Sequence, residues 1–260
     1  MTTIELTQQD LEQRYQEKTA SIRCWCTLTS ELVGGVPADK KALDAFAEYH
    51  LGIADPGERE KAVARILKEE IGERDATPEG GEVQEKQIYG VNVVRKTDDI
   101  GPWLGDWMVK AGIKQAASRA GVFQKTRGSK GNFSEAGRVR AIDFSLKEKD
   151  HAERIYLVNA TTEDPAHTYF REFMGRVQGA GGAKSIVHHS ECVSTGSRFA
   201  FEYRFLPGEV EHSSMLDVIS LLGIVGCGSV RSLERGKYSI DKCELDGIAE
   251  VKAKSKSAKA

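Results

Sequence analysis

The sequence is poor in the features that mark most specialised classes of protein. Among 260 residues there are only six prolines, and aromatic residues make up 7%. Hydrophobic residues still reach 40% and charged residues 29%, which excludes a collagenous or wholly disordered chain. Long apolar runs are missing. The longest uncharged stretch, 218–230, has 13 residues with three glycines, short of the roughly 18 that a membrane span needs. No membrane partner is expected. The first residues, MTTIELTQQDLEQRYQEK, lack the basic and apolar regions of a secretory leader, which predicts a cytoplasmic protein. Also lacking is a C-x-x-C pair: the five cysteines, Cys24, Cys26, Cys192, Cys227 and Cys243, have no metal-ligand spacing and are expected to be buried thiols packing as small hydrophobes. Net charge of either sign is nearly absent, with 37 Lys+Arg against 39 Asp+Glu. A length of 260 fits one large domain or two modest ones.

Strands and single helices alternate along the chain. Ile22, Cys24, Cys26 and Leu28 alternate with Arg23, Trp25 and Thr27, the period of a half-buried strand. Asp39 is placed to cap a helix through Leu43, Ala47 and Leu51, and a second helix follows Pro56 through Ala62, Val63, Ile66 and Ile71. QIYGVNVVR reads as a strand, and the alanine-rich run from about Trp107 as a helix. The stretch after it, QKTRGSKGNFSEAGR, has no periodicity and reads as a long basic loop at about 124–140. RVRAIDFSL and RIYLVNA are strand-like. Pro165 is predicted to open a helix through Phe170, Phe173 and Met174. SIVHHSECVS is predicted to turn at Thr195-Gly196 and form a hairpin with RFAFEYRF, whose Phe199, Phe201, Tyr203 and Phe205 make an aromatic face. A helix from Ser213 to Leu222 and a last strand, KYSIDKCEL, complete the pattern. The rhythm is not βαβ, so the fold class is α+β with helices on an antiparallel sheet. Residues 1–18 form a polar segment, 19–250 a single domain with a helical insertion at about 38–74, and 251–260 a charged tail expected to be disordered.

The near-zero total conceals segregation. Between residues 110 and 140, Lys110, Lys114, Arg119, Lys125, Arg127, Lys130, Arg138 and Arg140 face only one acid, Glu135, so this band nets +7 and the remainder carries −9. A band of this kind serves a polyanion even at neutral pI, or it is a solvated face with a basic loop. Glycines at 121, 128, 131 and 137 favour close backbone approach to phosphates. A second feature, GCGSVRSLERG at 226–236, is a glycine-rich connection between helix and strand, where Gly226, Gly228, Arg231 and Arg235 supply amides and charge for an anion nest. It is neither a Walker A loop nor a dinucleotide fingerprint; a plain glycine turn before the last strand is the other reading.

Together these segments resemble the RAMP superfamily, the RRM-like proteins of CRISPR effector complexes, and especially the subunit that forms the repeating backbone around the guide RNA. MVKAGIKQAA at 108–117 is similar to the family's basic helix, with Lys110 and Lys114 at its basic positions. TGSRFAF at 195–201 is similar to the segment that introduces its aromatic strand, and GCGSVRSLERGKY at 226–238 to its glycine-rich element. Glu234 departs from the pattern, standing where the family often has the first glycine of a final pair. The resemblance implies a ferredoxin-like, RRM-like core of sheet packed against helices. It further implies a subunit that holds single-stranded RNA and takes part in antiviral defence, with copies of itself in a filament or ring and other effector subunits as partners. The host complex is CRISPR-type or phage-encoded. On the residues' own chemistry, Trp103, Trp107 and Phe133 are either stacking platforms for bases or core anchors.

Catalysis is the less favoured reading. No G-x-S-x-G elbow or histidine–carboxylate metal spacing occurs, and no cofactor is predicted. The family's cleaving members use an aspartate, for which Asp39 or Asp44 is the nearest equivalent here, and His188 beside His189 is the candidate acid or base. A RAMP-type endoribonuclease, or a self-assembling structural protein whose basic band meets its own acidic surface, are the alternatives.

Overall fold

The computed structural model describes residues 19–38, 40–71, 88–97, 100–121, 138–141, 153–179, 182–205, 212–228 and 234–246. At Arg138, Arg140 and His188 the description extends to the backbone only. Asp39, Lys125, Arg127, Lys130, Phe133, Arg231, the polar segment 1–18 and the tail 251–260 lie outside the described residues.

In chain order the elements are β1 (Ala20–Leu28), β2 (Leu32–Val33), β3 (Val36–Pro37), α1 (Lys40–His50) and α2 (Pro56–Arg65), which runs on as a π-helical stretch (Ile66–Ile71). Next come β4 (Ile88–Val93), β5 (Lys96–Thr97), β6 (Gly101–Gly105), α3 (Asp106–Arg119), β7 (Arg138–Ala141) and β8 (Arg154–Tyr156). The chain continues with β9 (Thr168–Gly179), β10 (Gly182–Val193), β11 (Arg198–Phe205), α4 (His212–Val225) and β12 (Tyr238–Asp246).

The central sheet has the order β12-β1-β11-β7, with every neighbouring pair antiparallel. Helix α3 joins β1 to β7 across the strand between them, and α4 joins β11 to β12 in the same way. That is the split βαββαβ arrangement of a ferredoxin-like fold, with both helices on one sheet face. The alternation in the sequence dictates which face they cover. Ile22, Cys24, Cys26 and Leu28 of β1 and Phe199, Phe201, Tyr203 and Phe205 of β11 are buried in one cluster with Val109, Ile113 and Ala116 of α3 and Met215, Val218 and Leu222 of α4. The other face carries charge. Arg23 and Arg204 both donate to the buried carboxylate of Glu202, at 3.2 and 2.8 Å, and Lys242 lies 4.5 Å from the ring centre of Trp25.

A second sheet is built on β10, which pairs antiparallel with β9 and β2 and parallel with β4; β3 then pairs with β4. Helices α1 and α2 close a smaller core over it from Val36, Leu43, Ala47, Val63, Ile66 and Val93. A three-stranded sheet, β5-β6-β8, leads directly into α3.

Three sequence expectations are corrected. Residues 168–179 are strand, not helix: Phe170, Phe173 and Met174 mimic helical spacing, but twelve consecutive residues pair in register with β10, and this tertiary pairing outweighs the local pattern. For the same reason β10 does not form a hairpin with β11. The turn between them, where Gly196 N–H donates to the Leu28 carbonyl at 2.8 Å, hands the chain from one sheet to the other. Finally, Cys243 is exposed while the other four thiols are buried: it lies on β12, the edge strand of the central sheet, which is exposed from Asp241 onward.

Two predictions follow from this packing. A methyl group on Gly223 of α4 would stand 2.1 Å from the Tyr238 carbonyl oxygen. Gly223→Ala should therefore lower the unfolding free energy by about 2 kcal/mol in urea titration, although helix propensity alone favours alanine by about 1 kcal/mol. Burial pushes the Glu202 carboxyl up, yet hydrogen bonds and charge from Arg204 and Arg23 outweigh it and hold the group below its ordinary value of 4.5. A carboxyl depressed on folding stabilises above its unfolded value and loses that contribution as pH falls through its folded one. Wild-type stability should exceed that of Glu202→Gln at neutral pH, with the two curves converging on acidification below 4.5.

Candidate nucleic-acid interface

Helix α3 is amphipathic in the required sense. Val109, Gly112, Ile113, Ala116 and Ala117 are buried, at spacings that draw one stripe along the helix. Lys110 and Lys114, four residues apart, share a side away from it, Lys110 half-buried and Lys114 exposed. Arg119 is exposed in the last turn, where it also meets the negative end of the helix dipole.

Gly112 lets the helix approach the glycine-rich element. A methyl group there would lie 3.3 Å from the Gly226 carbonyl oxygen, so the two segments singled out in the sequence touch at a glycine–glycine contact. Gly226 takes φ 73° and donates its N–H to the Leu222 carbonyl at 2.9 Å, ending α4. Cys227 N–H donates to Gly236, and Gly236 N–H to Glu31, at 2.9 and 2.7 Å. Gly228, at φ 79°, has no room for a side chain beside Leu32. The base of the loop is thus fastened to the β1–β2 connection, with Arg231 beyond the described part.

Arg235 is not a free cation. Its guanidinium lies 3.3 Å from the carboxylate of Glu31, which also pairs with Arg171 of β9, and both arginines flank the ring of Phe173. It anchors the loop to the second sheet, while its Nε is buried without a hydrogen-bond partner. Arg138 and Arg140 lie on β7, an edge strand of the central sheet, opposite Arg204 and Glu202.

At the N-terminal end of α3 the two tryptophans separate in role. Trp103 is 4% exposed and acts as a core anchor, and Trp107 is 46% exposed and meets it edge-on at 6.3 Å. Arg95 sits 4.9 Å from the centre of the Trp107 ring, and Arg154 5.0 Å from that of Trp103. These arginines were not legible as site residues: they come from β-rich segments far apart in sequence, and no motif marks them.

Of the catalytic candidates, Asp44 pairs with Arg59 at 3.3 Å beside the smaller core. His189 stacks on Phe170 at 5.1 Å, and neither of its ring nitrogens has a hydrogen-bond partner. Asp44 and His189 make no hydrogen bond to each other, and Asp39 and the His188 side chain lie outside the described residues. No group of three or more His, Cys, Asp or Glu able to hold a metal occurs among the described residues. Nor is any described helix long and apolar enough to cross a membrane.

Glu234 takes φ 62°, the only described non-glycine residue with positive φ. Its salt bridge to Lys237 is solvent-exposed and offers little in return. Glu234→Gly is expected to raise stability by about 0.5–1 kcal/mol in chemical denaturation, by removing left-handed strain.

No protein-family model and no curated protein matches the chain. Among solved structures it is similar to a chain of the Type III-B Cmr-β complex bound to cognate target RNA, determined by cryo-EM. The TM-score is 0.45 and the identity 10%, over 91% of this chain and 63% of that one, so this chain spans less than two thirds of its length. It is also similar to the crystal structure of Cmr6 from Pyrococcus furiosus, with a TM-score of 0.40 and 10% identity over 85% of this chain and 98% of that one.

Proposed function

We infer that the chain is a single-stranded RNA-binding subunit of a CRISPR-type effector ribonucleoprotein, one that repeats along a guide RNA with copies of itself and other effector subunits as partners. The observation that carries this reading is the contact of α3 with the glycine-rich element at Gly112 and Gly226, inside a βαββαβ core. The sequence resemblance includes those same two segments, beside TGSRFAF at 195–201. Lys110 and Lys114 offer ammonium groups to phosphates without reading bases, which gives the sequence tolerance a guide-holding subunit needs. Arg119 extends the charge along α3, and Lys125, Arg127, Lys130, Arg138 and Arg140 extend it beyond the helix in sequence. In the glycine element the Gly226 and Cys227 amides already donate within the fold, so Gly228 and the charge of Arg231 are the groups we assign to the RNA, with Arg235 fastening the base of the element.

Fluorescence anisotropy with a labelled single-stranded RNA tests this. The full chain should bind at low salt, with log K falling by about 0.7 per phosphate contact for each decade of salt. Lys110→Ala with Lys114→Ala should weaken binding about tenfold and flatten the salt dependence by about 1.4. No binding by the wild type at low salt, or unchanged binding by the double variant, would contradict the reading. RNA-free oligomers in native mass spectrometry would favour a self-assembling structural protein instead.

A further inference from the structure

The central sheet places two thiols face to face at its edge. Cys24 of β1 and Cys243 of β12 are direct register partners in an antiparallel pair, and their Sγ atoms are 4.0 Å apart. Directly opposed residues in such a pair have Cα atoms about 4.5–5.5 Å apart, within the roughly 4.4–6.8 Å that a disulfide tolerates. Cys24 is fully buried and Cys243 is exposed, so one member is open to reagents and the other is reached only through it. The register shifts between Trp25 and Cys26, next to the pair, and β12 is exposed from Asp241 to Asp246. Besides the thiol pair, the side-chain contacts of this half of β12 with β1 are at the surface: Lys242 over the Trp25 ring and the Thr27 hydroxyl donating to Asp241.

We propose that Cys24 and Cys243 form a reversible thiol–disulfide site that staples the outer half of β12 to the central strand when a small-molecule disulfide is present. The Cys243 thiolate attacks one sulfur of the external disulfide, breaking its S–S bond and releasing one small thiol. The Cys24 thiol then loses its proton, and its sulfur attacks Cys243 Sγ, breaking the mixed disulfide and releasing the second small thiol. Two protein thiols are oxidised and one external disulfide is reduced to two thiols. The S–H of Cys24 donates to the sulfur of Cys243, which holds the proton on Cys24 and lowers the Cys243 thiol, favouring the exposed sulfur as the first nucleophile. Cys26, Cys192 and Cys227 are buried and have no such route. Exposed disulfides are the readily reduced ones, which suits a reversible site at an exposed edge strand.

The full chain, incubated folded with oxidised glutathione, alkylated and analysed by intact mass and peptide mapping, tests the site. The wild type should lose two of its five thiols, carry a Cys24–Cys243 link without retained glutathione, and regain both thiols on adding reduced glutathione. Cys24→Ala should trap glutathione on Cys243, and Cys243→Ser should remain unmodified. Glutathione retained on Cys243 of the wild type, a link through a different cysteine, or an unreactive wild type would each overturn the proposal.

Discussion

The structure depends on one constraint: a single apolar sheet face, lined by the β11 aromatics and the alternate residues of β1, must be covered by two helices at once. Phe199, Phe201, Tyr203 and Phe205 are all buried beneath α3 and α4. A four-stranded sheet offers little width, so the helices lie against one another, and glycines sit where side chains would force neighbouring elements apart. Gly112 faces the end of α4 and Gly223 faces β12. The crowding brings a basic helix and a glycine-rich connection, more than a hundred residues apart in sequence, to one side of the core. The proposed interface is a by-product of how the core is closed.

The same constraint divides charge from apolar surface. The helix-covered face excludes charge, while the opposite face gathers Arg23, Glu202, Arg204 and Lys242. Among the described residues, basic charge on the helix side is borne by the outward positions of α3. Arginines drawn into ion pairs, such as Arg235 with Glu31, stiffen the loop instead. Counting basic residues along the sequence overstates the site, because it cannot separate a cation that meets solvent from one that meets a carboxylate.

Much of the core was legible because its strands alternate strictly. Ile22 to Leu28 and Phe199 to Phe205 announced both their strands and their buried face, and the stripe from Val109 to Ala117 announced α3. What was not legible was pairing. The β9–β10 ladder was hidden because Phe170, Phe173 and Met174 mimic a helical stripe, and no local signal tells a hairpin from two strands entering different sheets. Exposure of Cys243 was equally invisible, since it depends on β12 taking the edge of the sheet. Within the candidate site, Lys110, Lys114 and the glycines are candidates by sequence pattern, while the placement of Arg95 over Trp107 arose only from the fold.

Photo-crosslinking of the full chain to a single-stranded RNA, with mapping of the modified peptides, tests most directly whether the interface is where the core places it. Crosslinks should fall in peptides from Trp107 to Gly121 and in the glycine-rich element from Gly226 to Lys237. Crosslinks confined to the charged sheet face around Trp25 and Lys242, with none on α3 or that element, would contradict the account.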